Sequence, residues 1–290
     1  PTITLSNSDV ASYASGSGST AIVFATTIAE GDTASSDLSV SSMDSDAGGA
    51  TMKDSAGNSV SETMTAGDLG TVTVDGAVPV FSSVAATDGA YGVGDVLTIT
   101  VTWGEAVVVS GTPTLTLSNS DTASYASGTG TTALVFTTTI AENDAASSDL
   151  SVSSFSGTIT DSAGGAAGAA SGDLGAVTVD GDAPDFTSCT ATDDTYGIGE
   201  ALSITCTWDE AVVTSDGTLT LSNSDTASYA SGTGTTALVF TTTIVEGDTD
   251  SSDLSVSSFG GTIADAAGGA AGAASGDLGA VIVDGDTPDI

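Results

Sequence analysis

The chain has almost no positive charge and no histidine. Its 290 residues include one lysine, Lys53, no arginine and no histidine, against 38 aspartates and glutamates, so the formal net charge is −37. Without Lys and Arg, no groups can neutralise the phosphates of a nucleic acid or an anionic lipid surface. The absence of histidine excludes Ser-His-Asp and Cys-His catalysis and His-ligated zinc. We therefore expect no nucleic-acid binding, and salt bridges cannot hold this protein together.

Long apolar runs are also absent. No stretch of 18 apolar residues occurs in the sequence, so we expect no membrane insertion by this segment. Leu, Ile, Val and Phe make up about one fifth of the residues, the level at which a high net charge suggests disorder. Composition alone therefore leaves a folded and a disordered chain both open, and the residue pattern must decide.

Internal repeats indicate a folded chain. The motif LSNSD begins at Leu5, Leu117 and Leu221, and GDLG and VDG recur later at matching distances. A longer motif occurs twice, as YGVGDVLTITVTWGEAV from Tyr91 and YGIGEALSITCTWDEAV from Tyr196. The repeating unit is about 105 residues long, a normal size for one domain.

The repeats divide the chain into three units. Two are whole, at 77–181 and 182–286, whereas 1–76 is partial because it has no counterpart of 77–112. Residues 287–290 are the start of a next repeat or a tail. We expect the chain to be one part of a longer array of repeats. The alternative is a subunit whose incomplete first domain is completed by strand exchange with another chain.

Each unit has the pattern of β-strands. Leu97, Ile99, Val101 and Trp103 alternate with threonines, which predicts a strand with one apolar face. Similar short segments, separated by Gly, Ser, Asn and Asp, give about seven strands per unit. We therefore predict an all-β protein of tandem Ig-like antiparallel β-sandwich domains, arranged as an extended rod. Trp103 and its counterpart Trp208 are expected in the core rather than on a sugar-binding surface.

The two cysteines both lie in the third unit. Cys189 and Cys206 stand where the second unit has Val84 and Val101. The two equivalent positions are thus both valine in one unit and both cysteine in the other. Since Val101 belongs to the apolar row, we expect the pair to face each other on the first two strands and to form a disulfide. Two separate buried thiols are the alternative. A disulfide would indicate an oxidising, extracellular location.

The motif order resembles that of a known family. The run from Tyr91, followed by TLTLSNSDTASYASGTGTTALVF, ITDSAG and VDG, resembles the Ig-like repeats of very large bacterial surface proteins, such as extender domains of type I-secreted adhesins. The resemblance implies tandem β-sandwiches, export from the cell and Ca²⁺ at domain junctions. Two departures occur: AGN at 56–58 becomes AGG in the later units, and Ala77 and Val80 stand where Asp182 and Asp185 stand later. If those acids are ligands, the first junction is the weaker cation site.

Acidic residues cluster where one unit ends and the next begins. The best candidate is Asp180-Gly-Asp182-Ala-Pro-Asp185, because three carboxylates in six residues repel unless they are hydrated or bound to a cation, and Ca²⁺ takes six to eight oxygens. The candidate ligands, with copies at the other junctions and acids of neighbouring loops, are Asp75, Asp88, Glu105, Asp180, Asp182, Asp185, Asp193, Glu210, Asp284 and Asp286. A solvated acidic linker is the alternative.

These features favour a structural protein over an enzyme. The acids repeat with the structural unit and have no basic, aromatic-lined pocket around them, so we expect no catalysis. The leading hypothesis is a repeat array of an extracellular fibre, adhesin stalk or surface layer on a cell, stiffened by Ca²⁺, with neighbouring copies of the same repeat or chain as partners. The alternatives are a filament subunit completed by strand exchange, and an adhesion module that binds a surface glycan or host receptor.

Overall fold

The computed structural model describes residues 1–62 and 67–287, and this part of the chain is all β apart from one 3-10 turn at Ala47–Gly49. The first unit contains β1 (Thr2–Leu5), β2 (Val10–Ser15), β3 (Val23–Ala25), β4 (Ser39–Asp44) and β5 (Gly67–Asp68). The second contains β6 (Phe81–Ala86), β7 (Gly89–Tyr91), β8 (Val96–Leu117), β9 (Thr122–Ser127), β10 (Thr131–Thr139), β11 (Asp144–Ser147), β12 (Ser151–Thr160), β13 (Gly172–Asp173) and β14 (Val177–Gly181). The third contains β15 (Phe186–Thr190), β16 (Asp194–Gly197), β17 (Ala201–Val212), β18 (Thr218–Leu221), β19 (Thr226–Ser231), β20 (Thr235–Thr243), β21 (Ser255–Gly260), β22 (Gly276–Asp277) and β23 (Val281–Asp284).

The third unit shows the topology most simply. Its larger sheet has the antiparallel order β15-β17-β20-β19-β18-β21-β22, and its smaller sheet pairs β16 with β23 in parallel. The second unit repeats this plan, except that the long strand β8 takes the place of both β17 and β18. The first part of β8 pairs with β6 and β10, and its last part pairs with β9 and β12. Short antiparallel strands in units of about 100 residues form Ig-like β-sandwiches, as the sequence predicts.

The core lies where the apolar rows meet. Leu97, Ile99, Val101 and Trp103 are all buried, and they belong to one cluster with residues of β10, β12 and β14. The third unit has the matching cluster, which includes Trp208. Each tryptophan also donates a hydrogen bond to a main-chain oxygen, as in the 3.3 Å contact from Nε1 of Trp103 to Gly168. Both tryptophans are therefore core residues.

The first unit has a much smaller core. Its cluster of buried residues consists of Leu5, Leu38, Val40 and Val74 within the described residues. Its strand β3 has three residues, whereas the corresponding strand β10 has nine. β8 pairs with β10 over most of its length, whereas among the described residues β3 pairs only with β2. Whether each unit folds as an independent domain stays a prediction.

The SNSD motifs form tight turns. Asn119 donates a hydrogen bond from Nδ2 to Oδ2 of Asp121 at 2.7 Å, and the main-chain N–H of Asp121 donates to Oδ1 of Asn119. Ser120, between them, has a φ of 79°. Such local bonds are the reason that Asn and Asp favour turns. These aspartates are therefore engaged in shaping the chain.

Candidate cation site at the unit junctions

Three carboxylates from different parts of the chain meet at the first junction. One oxygen from each of Asp75, Glu105 and Asp161 lies within 4.8 Å of the other two. Asp75 is at the end of the first unit, Glu105 is on β8 and Asp161 follows β12. The group therefore brings together the end of one unit and two elements of the next.

Asp161 is held in place by the backbone around it. Its Oδ1 accepts hydrogen bonds from the N–H groups of Ala163 and Gly164 at 2.7 Å each and of Gly165 at 2.9 Å. The side chain is only 4% exposed, and its other oxygen, Oδ2, is buried with no hydrogen-bond partner among the described residues. A buried carboxylate oxygen without a partner is costly. The backbone bonds thus fix this side chain, and its unpartnered oxygen is available to a cation.

The backbone bonds that hold Asp161 are repeated around Asp265 at the second junction. Its Oδ1 accepts hydrogen bonds from the N–H groups of Ala267, Gly268 and Gly269, and its Oδ2 is also buried without a partner among the described residues. Oε1 of Glu210, the counterpart of Glu105, is a third such atom. Repetition of the same unpartnered oxygens at two junctions indicates a built feature of the fold.

Burial and neighbouring carboxylates raise the pKa values of Glu105 and Glu210. Burial raises the pKa of Glu210 to about 7, with further contributions from Asp180, Asp265, Asp209 and Asp182. Burial also raises the pKa of Glu105, with Asp75 and Asp161 adding to the effect. Like charges that are close together disfavour ionisation, and a bound cation would remove that penalty.

Glycines leave space beside the buried oxygens. A Cβ at Gly269 would collide with Oδ2 of Asp265 and would lie 3.4 Å from the main-chain oxygen of Asp182. At the first junction, a Cβ at Gly165 would collide with Oδ2 of Asp161 and would lie 3.2 Å from the main-chain oxygen of Ala77. Each site thus has a main-chain oxygen nearby, whatever the side chain at position 77 or 182.

A cavity opens onto the first junction. It has a volume of about 260 Å³ and is lined from one side by Glu30 and Asp75 and from the other by the loop 163–165. The space between the two units is therefore bordered by carboxylates and main-chain groups. Oxygen donors of this kind suit a hard cation such as Ca²⁺.

Comparisons with known proteins give little more than a distant structural similarity. No protein-family model and no curated protein matches the chain. Among solved structures, it is similar to an I-band fragment, I67–I69, of titin, with a TM-score of 0.35 and 12% sequence identity. The match covers 71% of this chain and 66% of the titin fragment, a little under two thirds of its length. A similarity at this level carries no argument about function.

Two of the other junction acids, Asp180 and Asp182, contribute to the raised pKa of Glu210, whereas Asp185 is bonded to the neighbouring Asp209. Asp180 is half-buried near the end of β14, and the N–H of Asp182 donates to its Oδ1 at 3.4 Å. Asp185 is exposed, and its N–H donates to Oδ1 of Asp209 at 2.8 Å. Within the described part of the chain, oxygens of Asp180, Glu210 and Asp265 do not all three lie within 4.8 Å of one another, as those of their counterparts do.

Two of the predicted ligands have other partners. Oδ1 of Asp88 accepts a hydrogen bond from the N–H of Ala176 at 3.0 Å, and Oδ1 of Asp193 accepts one from Ala280 at 2.9 Å. These bonds fix the turns before β14 and β23, and β6 separates Asp88 from the first junction. The structure does not bring Asp88 and Asp193 into the clusters of Glu105 and Glu210.

The last junction can be described only in part. Asp284 lies in β23, and its Oδ1 accepts a hydrogen bond from the N–H of Asp286 at 3.4 Å, as Asp180 does from Asp182. Residues 288–290, which belong to the predicted start of a next repeat, lie outside the described residues. Asp284 and Asp286 as ligands stay a prediction.

Asp161 and Asp265 are the members of the site that sequence reasoning missed. They stand in the segments ITDSAGG and IADAAGG, which read as loops rich in Gly and Ala. The signal that could have found them is an aspartate retained just before the AGG glycines in both whole units. Because they lie more than 50 residues from Glu105 and Glu210 in sequence, spacing alone could not join them to the site.

A second acidic group lies in the first unit. Asp44, Asp46 and Glu62 have oxygens within 4.8 Å of one another, but all three are exposed. Glu62 accepts hydrogen bonds from N–H and Oγ of Ser45, and these bonds lower its pKa. The group is solvated and already bonded, so it is a weaker candidate than the junctions.

The cysteine pair joins the first two long strands of the third unit. Cys189 and Cys206 form a disulfide and stand directly opposite each other on β15 and β17. Val84 and Val101 are opposite each other in the same way on β6 and β8. The disulfide therefore replaces a buried apolar contact in the core.

Proposed function

We propose that this chain is a non-enzymatic structural repeat array of an extracellular cell surface, in which Ca²⁺ bound at the unit junctions stiffens the array into a rod. The observation that carries the proposal is the pair of Oδ2 atoms of Asp161 and Asp265, which are buried without a hydrogen-bond partner among the described residues. Each lies beside a glutamate and close to the end of the preceding unit. A cation that binds both units at once opposes bending at the junction.

The donor set favours Ca²⁺ over other metals. The clusters offer carboxylate and main-chain oxygens, and the sequence has no histidine. Ca²⁺ accepts oxygen ligands in flexible numbers and geometries, whereas Mg²⁺ requires near-ideal octahedral geometry. Exposed acids such as Asp182 and Asp185 add charge around each site, which also attracts a divalent cation.

Location and partners are part of the same proposal. The disulfide between Cys189 and Cys206 suits an oxidising exterior. No helix in the described part of the chain is long and apolar enough to cross a membrane. Neighbouring repeats are the proposed partners. Because Trp103 and Trp208 are buried, they offer no surface for stacking a sugar, which does not favour a glycan-binding role.

The test is a calcium titration of the full chain. Isothermal titration calorimetry should show binding, and small-angle scattering should show a larger maximum dimension in Ca²⁺ than in chelator. The variant with both Asp161→Asn and Asp265→Asn should lose both responses. Its matched control carries Asp149→Asn and Asp253→Asn, which remove the same charge from exposed turns. If scattering and heats are the same in chelator and calcium, the junction proposal fails.

A further inference from the structure

One loop occurs in all three units and differs at its last residue. It is Asp54-Ser-Ala-Gly-Asn58 in the first unit, Asp161-Ser-Ala-Gly-Gly165 in the second and Asp265-Ala-Ala-Gly-Gly269 in the third. In each copy, the N–H of the aspartate donates to the main-chain oxygen of the last residue at 2.9 or 3.0 Å. The fourth residue is a glycine with a φ of 90°, 103° or 104°. The three loops therefore share one backbone turn.

The copies differ at the second oxygen of the aspartate. Oδ2 of Asp54 accepts a hydrogen bond from Nδ2 of Asn58 at 2.9 Å. This bond is the main reason that the pKa of Asp54 is lowered. Oδ2 of Asp161 and of Asp265 has no partner among the described residues, and the glycine at the end of their loops has no side chain to supply one. The loop of the first unit thus bonds both oxygens of its own carboxylate, and the loops of the two whole units bond one.

The backbone does not require a glycine at the end of the loop. Gly164 and Gly268 have a left-handed φ, whereas Gly165 and Gly269 do not. The requirement comes from space, because a Cβ at Gly269 would collide with Oδ2 of Asp265 and lie 3.4 Å from the main-chain oxygen of Asp182. Glycine therefore keeps open the space between these two oxygens, which a larger side chain would fill.

We propose that the last residue of this loop determines whether a unit junction takes Ca²⁺: glycine leaves Oδ2 of the aspartate open to the cation, and asparagine bonds that oxygen with its own amide instead. The inference rests on the proposed function and adds the residue that selects which junctions bind. An asparagine amide is a hydrogen-bond donor, and a bond to a carboxylate is among the stronger ones in proteins. It thus satisfies internally an oxygen that is otherwise costly to bury. Gly165 and Gly269 are positioning residues, since they act through the aspartate.

The first test compares Gly269→Asn with Gly269→Ala in the full chain. Calorimetric titration with CaCl₂ should show that Gly269→Asn has lost one binding site relative to the unmodified chain. In chelator, scanning calorimetry should give Gly269→Asn a higher Tm than Gly269→Ala, because both add a Cβ but only asparagine bonds Oδ2 of Asp265. Equal loss of Tm in both variants would show an effect of bulk alone and overturns the proposal.

Ala266→Asn is the matched control. It places the same side chain at an exposed position of the same loop and should retain both the calcium binding and the Tm of the unmodified chain. If Gly269→Asn binds as much calcium as the unmodified chain, this inference fails and the proposed function stands. If the unmodified chain binds no calcium, the proposed function fails, and this inference fails with it.

Asn58→Gly tests the amide bond without any cation. Loss of Nδ2 should raise the pKa of Asp54 towards its usual value, as measured by NMR titration of its carboxyl carbon in chelator. Ser55→Ala, which reproduces Ala266 of the third unit, should leave that pKa unchanged. A pKa of Asp54 that is the same with asparagine and with glycine at position 58 overturns the proposal.

Discussion

The substitution Asp265→Asn should stabilise the third unit in chelator and destabilise it in calcium. Asparagine keeps Oδ1, so the hydrogen bonds from Ala267, Gly268 and Gly269 remain. It removes the negative charge, which contributes to the raised pKa of Glu210. The amide nitrogen that replaces Oδ2 is buried at the same place, where Oδ2 has no partner among the described residues. The variant therefore loses only charge repulsion, and we expect it to gain about 1 kcal/mol without calcium, the size of one screened charge interaction.

Calcium should reverse this order. A ligand that binds only the folded state stabilises it by about 2.7 kcal/mol at a concentration one hundred times its Kd. With a Kd of about 10⁻⁴ to 10⁻³ M, as in extracellular modules, about 10 mM calcium adds roughly 1.4–2.7 kcal/mol to the unmodified chain. For a unit of about 100 residues, this corresponds to a Tm increase of roughly 6–20 °C, which Asp265→Asn should lack.

Differential scanning calorimetry in chelator and in calcium measures both effects. Asp253→Asn is the matched control, because it removes one exposed charge from the same unit and should retain the calcium response. The reasoning is refuted if Asp265→Asn shows the same calcium-induced rise in Tm as the unmodified chain. It is also refuted if the variant is the less stable of the two in chelator.

Three further perturbations concern the third unit. In chelator, its Tm should fall as the pH rises from the ordinary pKa of 4.5 to about 7 and then level off, because over this range the folded state holds a proton on Glu210 that the unfolded state has released. A Tm profile that Glu210→Gln does not flatten contradicts this. Replacing Cys189 and Cys206 by valines should lower the free energy of unfolding by about 3 kcal/mol, the chain-entropy value for a loop of ~17 residues, and denaturant unfolding of the oxidised chain measures it. Gly269→Ala should cost about 1–3 kcal/mol and weaken calcium binding, because its Cβ would collide with Oδ2 of Asp265. Gly197→Ala, whose Cβ would meet no atom within 4 Å, should do neither in the same calorimetric titration.

Strand content and much of the pairing could be predicted from the sequence. The alternation from Leu97 to Trp103 gives the buried row of β8, since successive side chains of a strand point to opposite faces. Comparison of repeats also gave a correct contact, because Cys189 and Cys206 differ from Val84 and Val101 as a pair and stand opposite each other. Two changes at once carry spatial information that a single sequence otherwise lacks.

Only some residues of the candidate site could be predicted from the sequence. The acids of the junction segment are adjacent in the chain, so Asp180 and Asp182 could be grouped by spacing. Asp161 and Asp265 come to Glu105 and Glu210 only because β12 and β21 return along the sheet to the same end of the sandwich. Conversely, Asp88 and Asp193 are near the junction in sequence, but in the structure they bond to the turns before β14 and β23.

The sequence by itself determined the repeat, the β class and the charge, because these depend on local pattern and on counting. Only the tertiary structure decided which apolar residues of the first unit are exposed. It also showed that two aspartates in glycine-rich loops are buried, each with one oxygen that has no hydrogen-bond partner among the described residues. Both results depend on contacts between residues far apart in the chain, and burial and hydrogen bonding are properties of those contacts.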